Sequence, residues 1–239
     1  MRFTKEQKLM HHLVLHCNDV PSATGLLKGE MGIVLVLAHY AKVRSNPYIE
    51  KVADCLLSKV LDNLTKTEDI GFATGLAGVG WGIEFLIQNG YMKGDSIAIC
   101  EEIDQRIMSV DIRRMHDKSF ETGLKGLLTY LLAHLQGGIK NGHLAFDDIY
   151  INDWTEKLKV LSEGDPEDTT WIEGIRQMDA IVNGRECAIP LTLRPFVRPM
   201  KRCPRKNLGI QEGMAGYIEL MLEQDQAQHT RGNNKKKRE

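Results

Sequence analysis

The clearest hydrophobic pattern in the chain lies between Ile49 and Leu64. Ile49, Val52, Ala53, Leu56, Leu57, Val60, Leu61 and Leu64 recur at threes and fours, the spacing of one helix face. Polar residues fill the positions between, so the pattern predicts a helix with one wet side and one buried side. Asn46 and Pro47 ahead of it supply an N-cap and a first helical residue. A strand would repeat every second residue, and this segment does not. Residues 4–16, 96–109 and 146–161 carry weaker forms of the same pattern, with Thr4 and Asp95 placed to cap the first two.

Segments of a second kind alternate with these. Gly29-Glu-Met-Gly32 precedes Ile33-Val-Leu-Val-Leu37, and Gly75-Leu-Ala-Gly78, inside the glycine-rich stretch 71–82, precedes Ile83-Glu-Phe-Leu-Ile87. Gly123-Leu-Lys-Gly126 and Gly213-Met-Ala-Gly216 open two more. The first glycines stand 46, 48 and 90 residues apart, and 90 is close to two periods, so the chain contains an internal repeat. The glycine-led helices are expected over about 29–42, 75–89 and 123–136, with a last one ending near Glu223. Asn89-Gly90 and Gly137-Gly138 serve as stops. Trp171-Ile-Glu-Gly174 falls where a degenerate fourth copy belongs, although Gln177 stands in place of its second glycine.

An apolar helix has to be surrounded, whereas an amphipathic helix has to keep one face in water. The alternation therefore predicts an all-α fold, an (α/α) toroid-like array of helical hairpins with glycine-led helices inside. Three prolines over 185–199 exclude a long helix there and leave a loop or short extended segment. Residues 1–223 are expected to form the one domain and 224–239, which close in Lys-Lys-Lys-Arg-Glu, a disordered basic tail.

Composition narrows the function classes. With 239 residues, 42% hydrophobic and 26% charged at a formal charge of -1, the chain suits a soluble globular protein and gives no general reason to expect nucleic acid. Five cysteines, an odd number without Cys-x-x-Cys, point to a reducing compartment and a cytoplasmic location. The start leads into no long apolar run and reads as no signal peptide. Residues 70–87 are mostly apolar, but glycines break them and Glu84 interrupts them, so they read as core and no membrane span is expected. No Gly-Lys-Ser/Thr follows the glycine motifs, which excludes phosphate loops.

The glycine segments resemble the lanthionine synthetase C-like (LanC-like, lanthionine cyclase) family. The residues that carry the likeness are Gly29–Lys42, Gly75-Leu-Ala-Gly-Val-Gly-Trp-Gly-Ile-Glu-Phe-Leu86, Thr122-Gly-Leu-Lys-Gly126 and Leu208–Tyr217. The resemblance implies a toroid of about seven hairpins, of which this chain would hold a truncated or incomplete set. It also implies a zinc held by two cysteines and a histidine, which activates a peptide thiolate for addition to a dehydrated Ser or Thr. In that family a Cys-His pair stands immediately before a Gly-x-x-Gly. Here Lys28, Thr74, Thr122, Glu173 and Glu212 stand before the glycines. The likeness therefore carries over the fold and no catalytic group. A non-catalytic peptide-binding or accessory protein is expected, with no metal and no cofactor. The alternatives are a zinc cyclase with rearranged ligands and an oligomeric scaffold completed by another chain.

Several residues remain as candidates. His39 and His134 follow their first glycines by ten and eleven residues; they either line a shared cavity or mark the far ends of inner helices. Glu173 and Glu212 either cap helix starts or face a ligand at the mouth of the ring. Glu84 and Glu219 sit in apolar inner segments, as helix-end or cavity-wall groups or as an acid–base pair. Cys187 and Cys203 would hold zinc only by meeting His134 or His143, and their spacing fits no short zinc signature. Residues 194–206 are locally basic and suit an acidic peptide or a charged loop rim.

Overall fold

Polar side chains read the free N–H groups at five helix starts. Thr4, Asn46, Asp95, Asp147 and Asp168 cap α1 (Lys5–His16), α3 (Pro47–Asp62), α5 (Ser96–Met108), α7 (Asp148–Gly164) and α8 (Thr169–Val182). Thr4 and Gln7 form a full capping box. Asn46 accepts from the backbone N–H groups of Tyr48 and Ile49. Asn46→Ala should lower the stability by about 1 kcal/mol, read as a melting temperature reduced by roughly 2–4 °C.

The glycine-led helices start differently. α2 (Glu30–Arg44) and α4 (Leu76–Gln88) begin after Gly29 and Gly75 without a side-chain cap; α6 (Leu124–Lys140) and α9 (Met214–Lys236) begin after the equivalent glycines. They are the inner layer, and every residue of α4 from Leu76 through Leu86 is buried. The computed structural model describes residues 3–18, 23–140, 142–185 and 188–236, with side chains through 227. Among them there is no strand.

Packing orders the inner helices as α9, α2, α4, α6 and α8, with α1 against α9, α3 against α2, α5 against α4 and α6, and α7 against α8. This is the all-α array of hairpins expected from the sequence, with the last inner helix seated beside the first. The core lies between the layers, around Met31, Leu35, Phe72, Ile83, Ile103, Leu131, Trp154 and Trp171.

Three boundaries differ from the sequence reading. Gly137-Gly138 does not stop α6, which runs to Lys140; a side chain at Gly137 would strike the Glu84 carboxylate, so the glycine serves a close approach. Trp171–Gly174 lies inside α8, whose start is capped by Asp168, so it opens no fourth glycine-led helix. α9 passes the expected end at Glu223 and continues to Lys236 across the segment expected to be disordered, which holds no proline to break it. Residues 237–239 lie outside the described residues.

Candidate functional site

Each glycine-led helix is introduced by a seven-residue loop that bonds back onto it. The loops are Ala23–Gly29, Asp69–Gly75, Asp117–Gly123 and Asn207–Gly213. In all four, the carbonyl of the first loop residue accepts from the first helical N–H: Ala23 from Glu30, Asp69 from Leu76, Asp117 from Leu124 and Asn207 from Met214, at 2.8–2.9 Å. The side chains of Asp69, Asp117 and Asn207 also take the N–H two residues on, at 2.7, 2.8 and 3.0 Å. The first N–H of each of these helices, which could otherwise meet an anion, is thus already bonded. The Asp or Asn six residues ahead of the first glycine was visible in the sequence and is the signal that the glycine spacing alone misses.

The loops also join edge to edge. Gln211 N–H donates to Leu27 O, Leu26 N–H to Phe72 O, and Phe72 N–H to Glu121 O. The residues before the glycines all engage these loops. Thr122 Oγ1 donates to Asp117 at 2.6 Å, and that bond is the main cause holding the Asp117 carboxyl below its usual range. Thr74 donates to Asp69 in the same way. Lys28 pairs with Glu121 across two loops, lowering the Glu121 pKa, and Glu212 pairs with Arg198.

Glu173 is far from this arrangement in kind. It lies in the second turn of α8, half exposed, and bonds Arg176 and Gln177 of its own helix. The structure therefore corrects the expectation that Glu173 sits at the start of an inner helix, as Glu212 does. The difference follows from the Asp168 cap, which starts α8 earlier.

His39 and His134 lie in the later half of α2 and α6, which run on to Arg44 and Lys140, and each is bound to a neighbour. His134 on α6 contacts Glu84 Oε1 through Nδ1 at 2.5 Å and Asp104 Oδ2 through Nε2 at 2.9 Å, fully enclosed. His39 on α2 contacts Glu219 on α9 through Nδ1 at 2.9 Å. In both pairs the carboxylate comes from the inner helix that precedes the histidine's own in the packing order. Glu84 and Glu219, considered from the sequence as one acid–base pair, are instead two separate partners of two histidines. Burial works against a charged His134, but hydrogen bonds and charges from Asp104 and Glu84 outweigh it and raise its pKa to about 9. Tyr130 donates to Asp104 at 2.5 Å, and burial pushes the Tyr130 hydroxyl and the nearby Cys100 thiol well up, so both stay neutral.

At the centre of the inner layer sits the proline-rich segment. The Phe196 ring packs 4.7 Å from Trp81, 5.4 Å from Phe72 and 6.0 Å from Phe120, centre to centre. Upstream of it, residues 188–192 lie outside any helix and Leu193 turns into the short helix 194–196, with Leu191 and Leu193 buried, Ile189 half-buried and Ala188, Pro190 and Thr192 exposed. The carboxamide of Gln136 grips the Ile189 main chain twice, accepting from its N–H at 2.5 Å and donating to its carbonyl at 3.0 Å. Asn89 donates to Leu191 O at 3.2 Å. A cleft of about 440 Å³ lies between α2 and α3 around Tyr91 and Pro47, and another of about 390 Å³, bordered by this segment, opens between α6 and α8, lined by Trp81, Phe120, Thr129, Leu132 and Gln177. A third cleft, of about 630 Å³, is basic, with Lys28, Arg205 and Lys206 on its wall.

The zinc set implied by the resemblance is not assembled by the described residues. Among them no three His, Cys, Asp or Glu side chains are placed to hold a metal ion. Cys17 and Cys100 are buried, Cys55 is exposed on α3, and Cys203 lies half-buried after the proline-rich segment. Cys187 lies outside the described residues, so its expected meeting with Cys203 or a histidine does too. Among the described residues no helix is long and apolar enough to cross a membrane.

Comparison with known proteins gives one match. The family model described as lanthionine synthetase C-like protein matches residues 21–171, which span α2 through the start of α8. No curated protein and no solved structure matches.

Proposed function

Because the chain belongs to the lanthionine synthetase C-like family, we propose that it binds a peptide as a non-catalytic accessory protein, a pseudoenzyme, in a peptide-modification system. One observation carries the reading. The positions directly before the repeat glycines hold Lys28, Thr74, Thr122 and Glu212, and each of these is committed to locking a loop. A carboxylate–lysine pair and two threonine–aspartate bonds offer no thiolate or imidazole for a Lewis acid. What remains at the centre is a groove lined by Trp81, Phe120 and Leu132, whose chemistry suits apolar side chains of an extended chain. The five cysteines are an odd number without Cys-x-x-Cys, and on that pattern we assign the protein to the reducing cytoplasm.

The expected result is saturable binding of a fluorescein-labelled peptide with alternating apolar residues, followed by anisotropy. A peptide that carries one cysteine and one dehydrobutyrine should keep its free thiol when incubated with the protein. Stoichiometric zinc in the purified protein, together with loss of that thiol, would make it a cyclase and end this reading.

A further inference from the structure

We propose that residues 188–193 occupy the central groove as a built-in stand-in for its ligand, an extended peptide with large apolar side chains at every second position. The inference rests on the peptide-binding reading above and specifies both the ligand class and the competitor.

The segment has the features of a bound peptide. Its burial alternates strictly, with Ile189, Leu191 and Leu193 turned inward and Ala188, Pro190 and Thr192 outward, a period of two inside a helical protein. It is held through its main chain by side chains of other elements: Gln136 on α6 takes the N–H and C=O of Ile189, and Asn89, the residue after α4, takes the Leu191 carbonyl. Main-chain contacts of this kind do not depend on which side chains the extended chain carries, so they would serve any peptide of the same shape. Pro190 points outward, needs no N–H bond and stiffens the extended form.

The grip is also pre-set. Glu84 accepts from the Gln88 amide at 2.6 Å, which turns the Gln88 oxygen toward the Gln136 amide at 2.8 Å. That in turn leaves the Gln136 oxygen facing the Ile189 N–H. Donor and acceptor are therefore presented in a fixed order, and Lys140 holds the Gln88 oxygen from the far side at 3.0 Å. The segment does not fill its surroundings, since the cleft of about 390 Å³ runs along it with Leu191 and Thr192 as one wall. Downstream, Phe196 and the Arg198 N–H bond to Gln211 O fix the segment's other end. Residues 188–193 can then leave while the anchor stays.

A tethered occupant acts at roughly millimolar effective concentration, so free peptide should bind the parent chain weakly and a variant with a weakened occupant tightly. The test uses the full chain and a labelled peptide of residues 188–193, Ala-Ile-Pro-Leu-Thr-Leu. The double variant Leu191→Ser, Leu193→Ser should bind it at least tenfold more tightly than the parent. Adding Gln136→Leu to the double variant should remove that gain. Circular dichroism checks that each variant is folded. In the unaltered protein, saturating peptide should remove the hydrogen-exchange protection of the Ile189 amide, a readout that needs no variant. Equal affinities for parent and double variant, with Ile189 protection unchanged, would overturn the inference and leave peptide binding elsewhere on the protein standing. Absence of binding to parent and double variant alike would overturn both.

Discussion

Gly78→Ala is expected to destabilise the protein by about 3 kcal/mol or more. A methyl carbon at this second glycine of the repeat would stand 2.6 Å from Leu26 N and nearer still to the Phe72 carbonyl oxygen. Neither obstacle is the end of a flexible side chain. Phe72 O accepts the Leu26 N–H that joins two neighbouring loops, so making room pulls apart the loop seam as well as the start of α4. The same carbonyl six residues back crowds Gly32, Gly126 and Gly216, and alanine there should cost similarly. Gly164 closes α7 with nothing within 4 Å of its missing side chain. Gly164→Ala should be neutral or stabilise by a few tenths of a kcal/mol, about 0.5. Urea midpoints for the two variants decide the matter: equal shifts would mean that the repeat glycines serve flexibility and not contact.

His134→Gln should cost about 3–5 kcal/mol at pH 7, because it leaves the Glu84 and Asp104 carboxylates enclosed without their cation. The effect carries a pH signature. The folded-state pKa of His134 is raised to about 9, above about 6.5 for an unfolded histidine. The folded state therefore binds the proton more tightly, and this stabilisation is fully present below pH 6.5 and is lost as pH rises through 9. Over that window the parent should lose stability on the order of 3 kcal/mol, and His134→Gln should lack that slope. The groups facing the imidazole are Glu84, Asp104 and, through Asp104, Tyr130. Denaturant unfolding at several pH values between 6 and 9.5 reads both effects, and parallel curves for parent and variant would show that His134 is not the cation of the cluster.

The helices themselves were legible because they are local. Caps at Thr4, Asn46 and Asp95, the threes and fours of residues 49–64 and the glycine spacing each act within a few turns of chain, and the structure keeps all of them. The errors have longer-range causes. Gly137 looked like a helix stop because glycine is a weak helix former; it is instead the space into which Glu84 of another helix fits. Trp171–Gly174 matched the repeat spacing and has Asp168 six residues ahead of Gly174, but Asp168 caps a helix that begins at once, so residues 169–174 are helical where the other copies have a loop. For the candidate site, the sequence set His39 beside His134 and Glu84 beside Glu219, like with like. Their pairing depends on which helices become neighbours, and no spacing within one helix encodes that. The run 188–193 was read as a loop or short extended segment from its prolines, but where it sits depends on Gln136 and Asn89, both far away in sequence.

The placing of α9 next to α2 sets an order of events. The bond between His39 and Glu219 spans 180 residues, and Lys5 of α1 reaches Tyr217 across a still longer separation. During synthesis the hairpins from α2 to α8 can assemble as they emerge, each on its predecessor, whereas the apolar flank of α2 must wait for nearly the whole chain. Closing that joint makes a large loop late, the kind of step that slows folding and leaves sticky surface exposed meanwhile. The first inner helix made is thus the last to be completed.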